Sequence, residues 1–147
     1  MRAVRVCVLQ GLGINADEEL LEAFRAVGAE PAGVHVGDLV DGLVRLADHR
    51  ILALPGGFSF GDHLGSGRVL AMLLRRRLGA EIASFVRSGR LVLGICNGFQ
   101  VLVKAGLLPD LAGTLTPEAS LVTNDSGRFE DRWVRIGFPS SACVWTR

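Results

Sequence analysis

Several common features are scarce or missing in this sequence. It has no long hydrophobic run: stretches such as Leu91 to Leu93 or Val69 to Leu74 are far too short to cross a bilayer, and the first residues lack the pattern of a secretory signal. A membrane protein is excluded on this reading, and a cytoplasmic one is expected. Neither sign of charge is in excess, with 16 basic and 15 acidic residues giving +1, so nothing draws the chain to nucleic acid or an anionic membrane. A small-molecule substrate fits better. Cysteine is sparse: Cys7, Cys96 and Cys143 are odd in number, widely spaced and without a CxxC pair, which argues against a disulfide framework, a metal centre or a redox dithiol. Repeats, low-complexity tracts and linkers are missing too. What is present, 147 residues of which about half are apolar, suffices for a sizeable core and suggests one domain over 1–147.

The pattern alternates strands with helices. Arg2 to Leu9 is β-branched and apolar on both faces, as in a buried strand, and Asn15 or Asp17 is placed to cap a helix running to Val27. Pro31 to Val36 reads as a second strand, Asp38 to Asp48 as a short helix, and Arg50 to Leu54 as a third strand stopped by Pro55-Gly56-Gly57. From Ser66, Leu70, Leu74, Leu78, Ile82 and Val86 recur at helical spacing, with Gly79 expected to divide the stretch in two. Leu91 to Ile95 is then an apolar strand and Asn97 to Ala105 a helix. Such alternation predicts an α/β, doubly wound, flavodoxin-like and mostly parallel sheet with helices on both faces. Beyond Pro109, short strands are expected at Ser120 to Thr123, Trp133 to Ile136 and Ala142 to Trp145. Because the last of these reads as a strand in progress, the domain is expected to be incomplete at its carboxyl end.

The strongest local signal is Gly94-Ile95-Cys96-Asn97-Gly98, where an apolar strand must turn abruptly into a helix. This is the cysteine form of a nucleophile elbow: the sharp turn lifts the side chain above the carboxyl end of the sheet, and flanking glycines remove Cβ atoms that would clash. The helix terminus supplies a positive dipole end and unpaired amides, surroundings that favour a thiolate. The N–H of Asn97 points to where an oxyanion would form, and the glycine-rich loop Pro55 to Asp62 should supply a second donor, the N–H of Gly57, from the same sheet edge. A lone cysteine is ordinarily a small core hydrophobe. Cys7 and Cys143 are read that way, whereas at Cys96 the elbow and the second glycine loop favour a nucleophile.

The stretches PGGFSFGDHLGSG (55 to 67), GICNGFQVL (94 to 102), AGLLP (105 to 109) and NDSGRFEDRWV (124 to 134) together resemble the glutaminase components of phosphoribosylformylglycinamidine synthase, in the purine pathway. These are class I, or triad, glutamine amidotransferases. The resemblance implies that Cys96 forms a γ-glutamyl thioester and that Gly57 and Asn97 supply oxyanion amides. It also implies that Gly56 and Gln100 meet the substrate glutamine, with the segment around Arg128 and Phe129 nearby. It further implies delivery of ammonia to a synthetase subunit that uses ATP and magnesium, a small accessory subunit, and no cofactor on this chain.

One departure from the family pattern stands out: its nucleophile is served by a His and a Glu in an HGEG-like stretch, which nothing here matches. His35, His49 and His63 are read as structural or solvent-facing. Weak or no turnover is therefore expected from these 147 residues alone. Two other readings are open. Gly11-Leu12-Gly13-Ile14-Asn15-Ala16 follows a strand, opens a helix and fits a dinucleotide fingerprint, with Asp38 placed to hold a ribose. Alternatively, the chain keeps the amidotransferase fold only to bind a partner or glutamine.

Overall fold

A computed structural model describes residues 3–147. Four strands, β1 (Arg5–Gln10), β2 (Glu30–His35), β3 (Ile51–Leu54) and β4 (Leu91–Gly94), form a parallel sheet in the order β2-β1-β3-β4. Strand residues alternate between two separate cores. Val6, Val8, Ile51 and Ala53 pack under helix α1 (Asp17–Ala26) through Leu20, Leu21 and Phe24. Cys7, Leu9, Leu52 and Leu54 face the opposite side, where α3 (Arg68–Arg87) and α4 (Asn97–Ala105) supply Leu70, Leu74, Ile82, Val101 and Leu102. The expected doubly wound architecture is therefore present. No helix of the described residues is long and apolar enough to cross a membrane.

Local departures from expectation have local causes. Of the first expected strand, Arg2 lies outside the described residues. The cap expected from Asn15 or Asp17 does not form: Ala16 holds the cap position, and the Asp17 carboxylate accepts instead from Gln10 Nε2. Acidic Asp17, Glu18 and Glu19 still fill the first turn of α1, where they match the positive end of its dipole. Pro31 is tolerated because β2 is an edge strand paired only with β1; the Glu30 N–H donates inward to Val4 O, so residue 31 faces outward. The helix expected over Asp38 to Asp48 breaks into α2 (Val36–Val40) and a 3₁₀ turn (Leu46–Asp48). Gly42 between them has φ +73°, outside the helical region. By contrast, Gly79 does not divide α3; the buried Leu74, Leu78, Ile82 and Ala83 around it outweigh the weak propensity of one glycine.

The three strands expected after Pro109 are not formed. Residues 120–123 and 133–136 are irregular, and Val144–Thr146 is a 3₁₀ turn. A strand needs a partner strand, and on the outer edge of β4 the Val92 carbonyl accepts instead from the Trp145 indole Nε1 at 3.1 Å.

Candidate active site

Strand order reverses between β1 and β3, so the loops leaving their carboxyl ends diverge and open a crevice, the place where such sheets bind ligands. The turn after β4 opens onto the same edge. Cys96 stands in that turn with φ +52° and ψ −113°, and its side chain is exposed. A residue with a Cβ rarely adopts this conformation, and strain of this kind clusters at functional sites. Its neighbours show why they are glycines. A Cβ on Gly98 would lie 2.0 Å from the Leu54 carbonyl oxygen, and one on Gly94 would lie 2.6 Å from Leu102 Cδ1. The elbow thus has the shape expected of it.

The loop after β3 closes one wall. A Cβ on Gly56 would sit 3.3 Å from Cys96 Cβ, so only a glycine lets the loop approach the thiol without a shift. Gly57 has φ +139° and would meet the Gly13 carbonyl oxygen at 2.6 Å. Gly57 pairs with Ile14 across a short bridge in which the bonds are made by their neighbours, Phe58 N–H to Gly13 O and Asn15 N–H to Gly56 O. The amides of Gly57 and Asn97 consequently donate to no acceptor among the described residues. Gly57 and the exposed thiol share a cleft of about 690 Å³, lined by Asn15, Glu19, Gly56, Gly57, Cys96 and Gln100 among others, with Phe129 at its rim, whereas Asn97, next to Cys96, is buried and not among the lining residues. Arg128 is not among the lining residues; its carbonyl accepts from Asn124 Nδ2.

The other cysteines diverge from each other. Cys7 is a core residue, and burial, with a smaller contribution from the Glu81 charge, pushes its thiol up to about 12. Cys143, expected in the core, is instead exposed in the C-terminal segment, where no residue is buried. None of the three histidines lines the cleft. His35 Nδ1 accepts from Gly37 N–H at the start of α2, and His63 packs over Gly61. His49 is buried with Nδ1 unpartnered, and that burial, followed by the Arg5 charge, lowers its pKa.

Among the described residues no three His, Cys, Asp or Glu side chains gather as a metal-holding group. The amides that a phosphate would need in the Gly11 to Ala16 turn are engaged within the chain, Ile14 N–H donating to Gly11 O and the Asn15 and Ala16 N–H to Gly56 O. The Gly13 and Leu12 carbonyls accept from Phe58 and Phe60 N–H, and a Cβ on Gly13 would lie 2.1 Å from Phe58 O. The turn seats the β3 loop.

Sequence reasoning missed three residues here. Glu19 brings a carboxylate to the cleft from the first turn of α1, and its helical position facing a ligand gap carries no motif. Ser59 and Asp62 are drawn to the Asn97 side chain from 38 and 35 positions away, a separation no local pattern encodes.

Comparison with known proteins bears on this geometry. The family model for the CobB/CobQ-like glutamine amidotransferase domain matches residues 3–147. The PurQ subunit of phosphoribosylformylglycinamidine synthase from Dehalococcoides mccartyi is 45% identical over 150 residues, covering 100% of this chain and 58% of that protein. PurQ from Methanococcus maripaludis strain S2 is 43% identical over 145 residues, covering 97% of this chain and 53% of that protein. The chain thus spans about half the length of the curated relatives it matches. In the structure of PurLQS from Thermotoga maritima, one chain shares the fold with a TM-score of 0.70 and 36% identity, over 90% of this chain and 54% of that one. A strained cysteine elbow facing a glycine loop on a doubly wound sheet is here accompanied by a family match from residue 3 to residue 147, and the chain belongs to the CobB/CobQ-like glutamine amidotransferase family.

Proposed function

We propose that these residues carry the nucleophile and the oxyanion donors of the glutaminase component of phosphoribosylformylglycinamidine synthase. The observation that supports this most is the exposed Cys96 at φ +52° in a cleft that Gly57 also lines, with the amides of Gly57 and of the adjacent Asn97 left unpaired. In this reading the Cys96 sulfur attacks the side-chain carbonyl carbon of glutamine, and the carbonyl electron pair moves onto oxygen, where the two N–H groups hold it. Collapse breaks the C–N bond; the nitrogen takes a proton and leaves as ammonia. Water then cleaves the thioester, releasing glutamate and restoring the thiol. Gln100 and Gly56 border the substrate, Phe129 covers it, and the Glu19 carboxylate suits its α-ammonium. No histidine lines the cleft.

The ammonia is consumed by a synthetase subunit that uses ATP and magnesium, assembled with a small accessory subunit. This chain itself holds no cofactor, works as one domain and resides in the cytoplasm. The relatives named PurQ and the PurLQS assembly support the pairing with a synthetase and an accessory subunit. The test is glutamate release from glutamine by the native protein with its natural partner. Cys96→Ser should lower turnover by about ten-thousandfold. A glutamine-analogue chloroketone should modify Cys96 well ahead of Cys143. Retained turnover in Cys96→Ser overturns the reading.

A further inference from the structure

The loop that faces Cys96 is held in an unusual shape. Phe60, Gly61 and Asp62 have φ of +54°, +68° and +52°, a left-handed run in which two members carry side chains. Such backbone persists only where surrounding contacts over-determine it. Here the contacts converge on the Asn97 side chain, which is 2% exposed beside Ser59 at 1%. Asn97 Oδ1 accepts from the Ser59 N–H at 3.1 Å and from the Ser59 hydroxyl at 2.7 Å. Asn97 Nδ2 donates to both Asp62 carboxylate oxygens, at 3.2 and 3.3 Å, and to Gln100 Oε1 at 3.1 Å. Asp62 Oδ1 also accepts from Gly67 N–H at 2.8 Å, at the cap position of α3. The amide orientation is forced by its partners, since a backbone N–H can only donate and a carboxylate can only accept.

We propose that Ser59 and Asp62 are positioning residues, which act through the Asn97 side chain to fix the Gly57 N–H at a set distance from the Asn97 N–H. One residue thereby offers its backbone to the oxyanion and its side chain to the loop bearing the second donor. The Gln100 bond ties a substrate-facing group into the same fork. The opposite flank of the loop is tied to the β1 turn through Phe58 and Phe60 N–H, so the Asn97 fork supplies the remaining restraint on its shape. Hydrogen-bond donors aimed in advance at developing charge lose their effect when misplaced by about 1 Å.

This inference rests on the glutaminase reading, and the experiment separates the two. Glutamine turnover is measured for the native protein with its partner and for three variants. Ser59→Ala removes one hydroxyl and should lower kcat about tenfold, with KM for glutamine within about twofold. Asn97→Asp keeps the acceptor for Ser59, loses the donor, and sets a second carboxylate against Asp62. Its kcat should fall about a hundredfold. Facing carboxylates share a proton as the pH drops, and the protonated one donates again. The deficit relative to wild type should accordingly shrink between about pH 8 and about pH 6, a recovery that general loosening of the fold would not give. Asp62→Asn combined with Asn97→Asp exchanges the two groups and should restore kcat to within about tenfold of wild type. If wild type releases no glutamate through Cys96, the glutaminase reading falls and this inference with it. If wild type is active and both Ser59→Ala and Asn97→Asp match it, only the positioning role falls. It falls as well if the Asn97→Asp deficit is flat with pH and simply follows the unfolded fraction.

Discussion

Cys96 is the one residue whose backbone, exposure and neighbours all depart from what a buried core cysteine would show. The departure depends on the glycines around it. Gly98 sits so close to β3 that an added methyl would overlap the Leu54 carbonyl, and this contact sets how tightly α4 starts after the strand. Gly98→Ala should therefore cost about 1–3 kcal/mol in urea unfolding and slow the labelling of Cys96 by a glutamine analogue. A variant as stable and as reactive as wild type would show that the bend tolerates a side chain there. His49 gives a second residue-scale prediction. Its folded pKa is lowered from 6.5, so below that pH the unfolded chain binds the extra proton more readily. Its contribution is full above 6.5 and is lost as the pH falls toward the lower folded value. Stability should therefore fall as the pH drops below 6.5, and His49→Gln should flatten that fall in unfolding curves taken from about pH 7.5 to about pH 5. The elbow was legible because its glycines and cysteine lie within five consecutive positions. The fork on Asn97 was not, because a side-chain amide carries no sign of a partner more than thirty positions away.

At the level of elements, the readable parts are those whose cause is local. β1, β3, β4, α1 and α4 follow from apolar runs and helical spacing, and the structure places each within a few residues of its expected bounds. Glycine was the harder signal, since the same residue ends one helix and passes unnoticed through another. Gly42 adopts positive φ and stops α2, while Gly79 keeps helical geometry with open space where a Cβ would be. That difference is set by tertiary packing, which neither glycine's flanking sequence reports. It also yields a prediction: Gly79→Ala meets no clash within 4 Å and removes backbone freedom from the unfolded chain. The variant should gain about 0.5–1 kcal/mol in chemical denaturation, with the reactivity of Cys96 unchanged. A loss of stability would mean that α3 bends at Gly79 for a reason its neighbours do not disclose.

Across the whole molecule, order is distributed unevenly, and the division falls close to Gly106. Val6, Cys7, Val8, Leu9 and Ala53 are fully buried, whereas no residue after Gly106 is buried at all. The segment 110–147 has backbone bonds only within tight turns, such as Gly127 N–H to Asn124 O, and its main link back to the sheet is the Trp145 indole on Val92. The short apolar stretches at 120–123 and 133–136 read as candidate strands because β-branched and aromatic residues suit a paired strand, but they do not show that a partner edge is within reach. The apolar side chains they carry, including Val122, Trp133 and Ile136, are exposed instead, as surfaces that meet a partner commonly are. Local stability follows buried contacts and shielded backbone bonds, so native-state hydrogen exchange should separate the two regions sharply. Amides of β1 and β3 should exchange only on global unfolding, while those of residues 111–140 should exchange at least about a hundredfold faster. Adding the proposed synthetase partner should slow exchange in 120–136 if that segment lies at the interface. Protection of 120–123 or 133–136 to the level of β4 in the isolated chain would mean that these residues pair as strands in solution, and that the free edge of β4 is covered by the chain's own backbone.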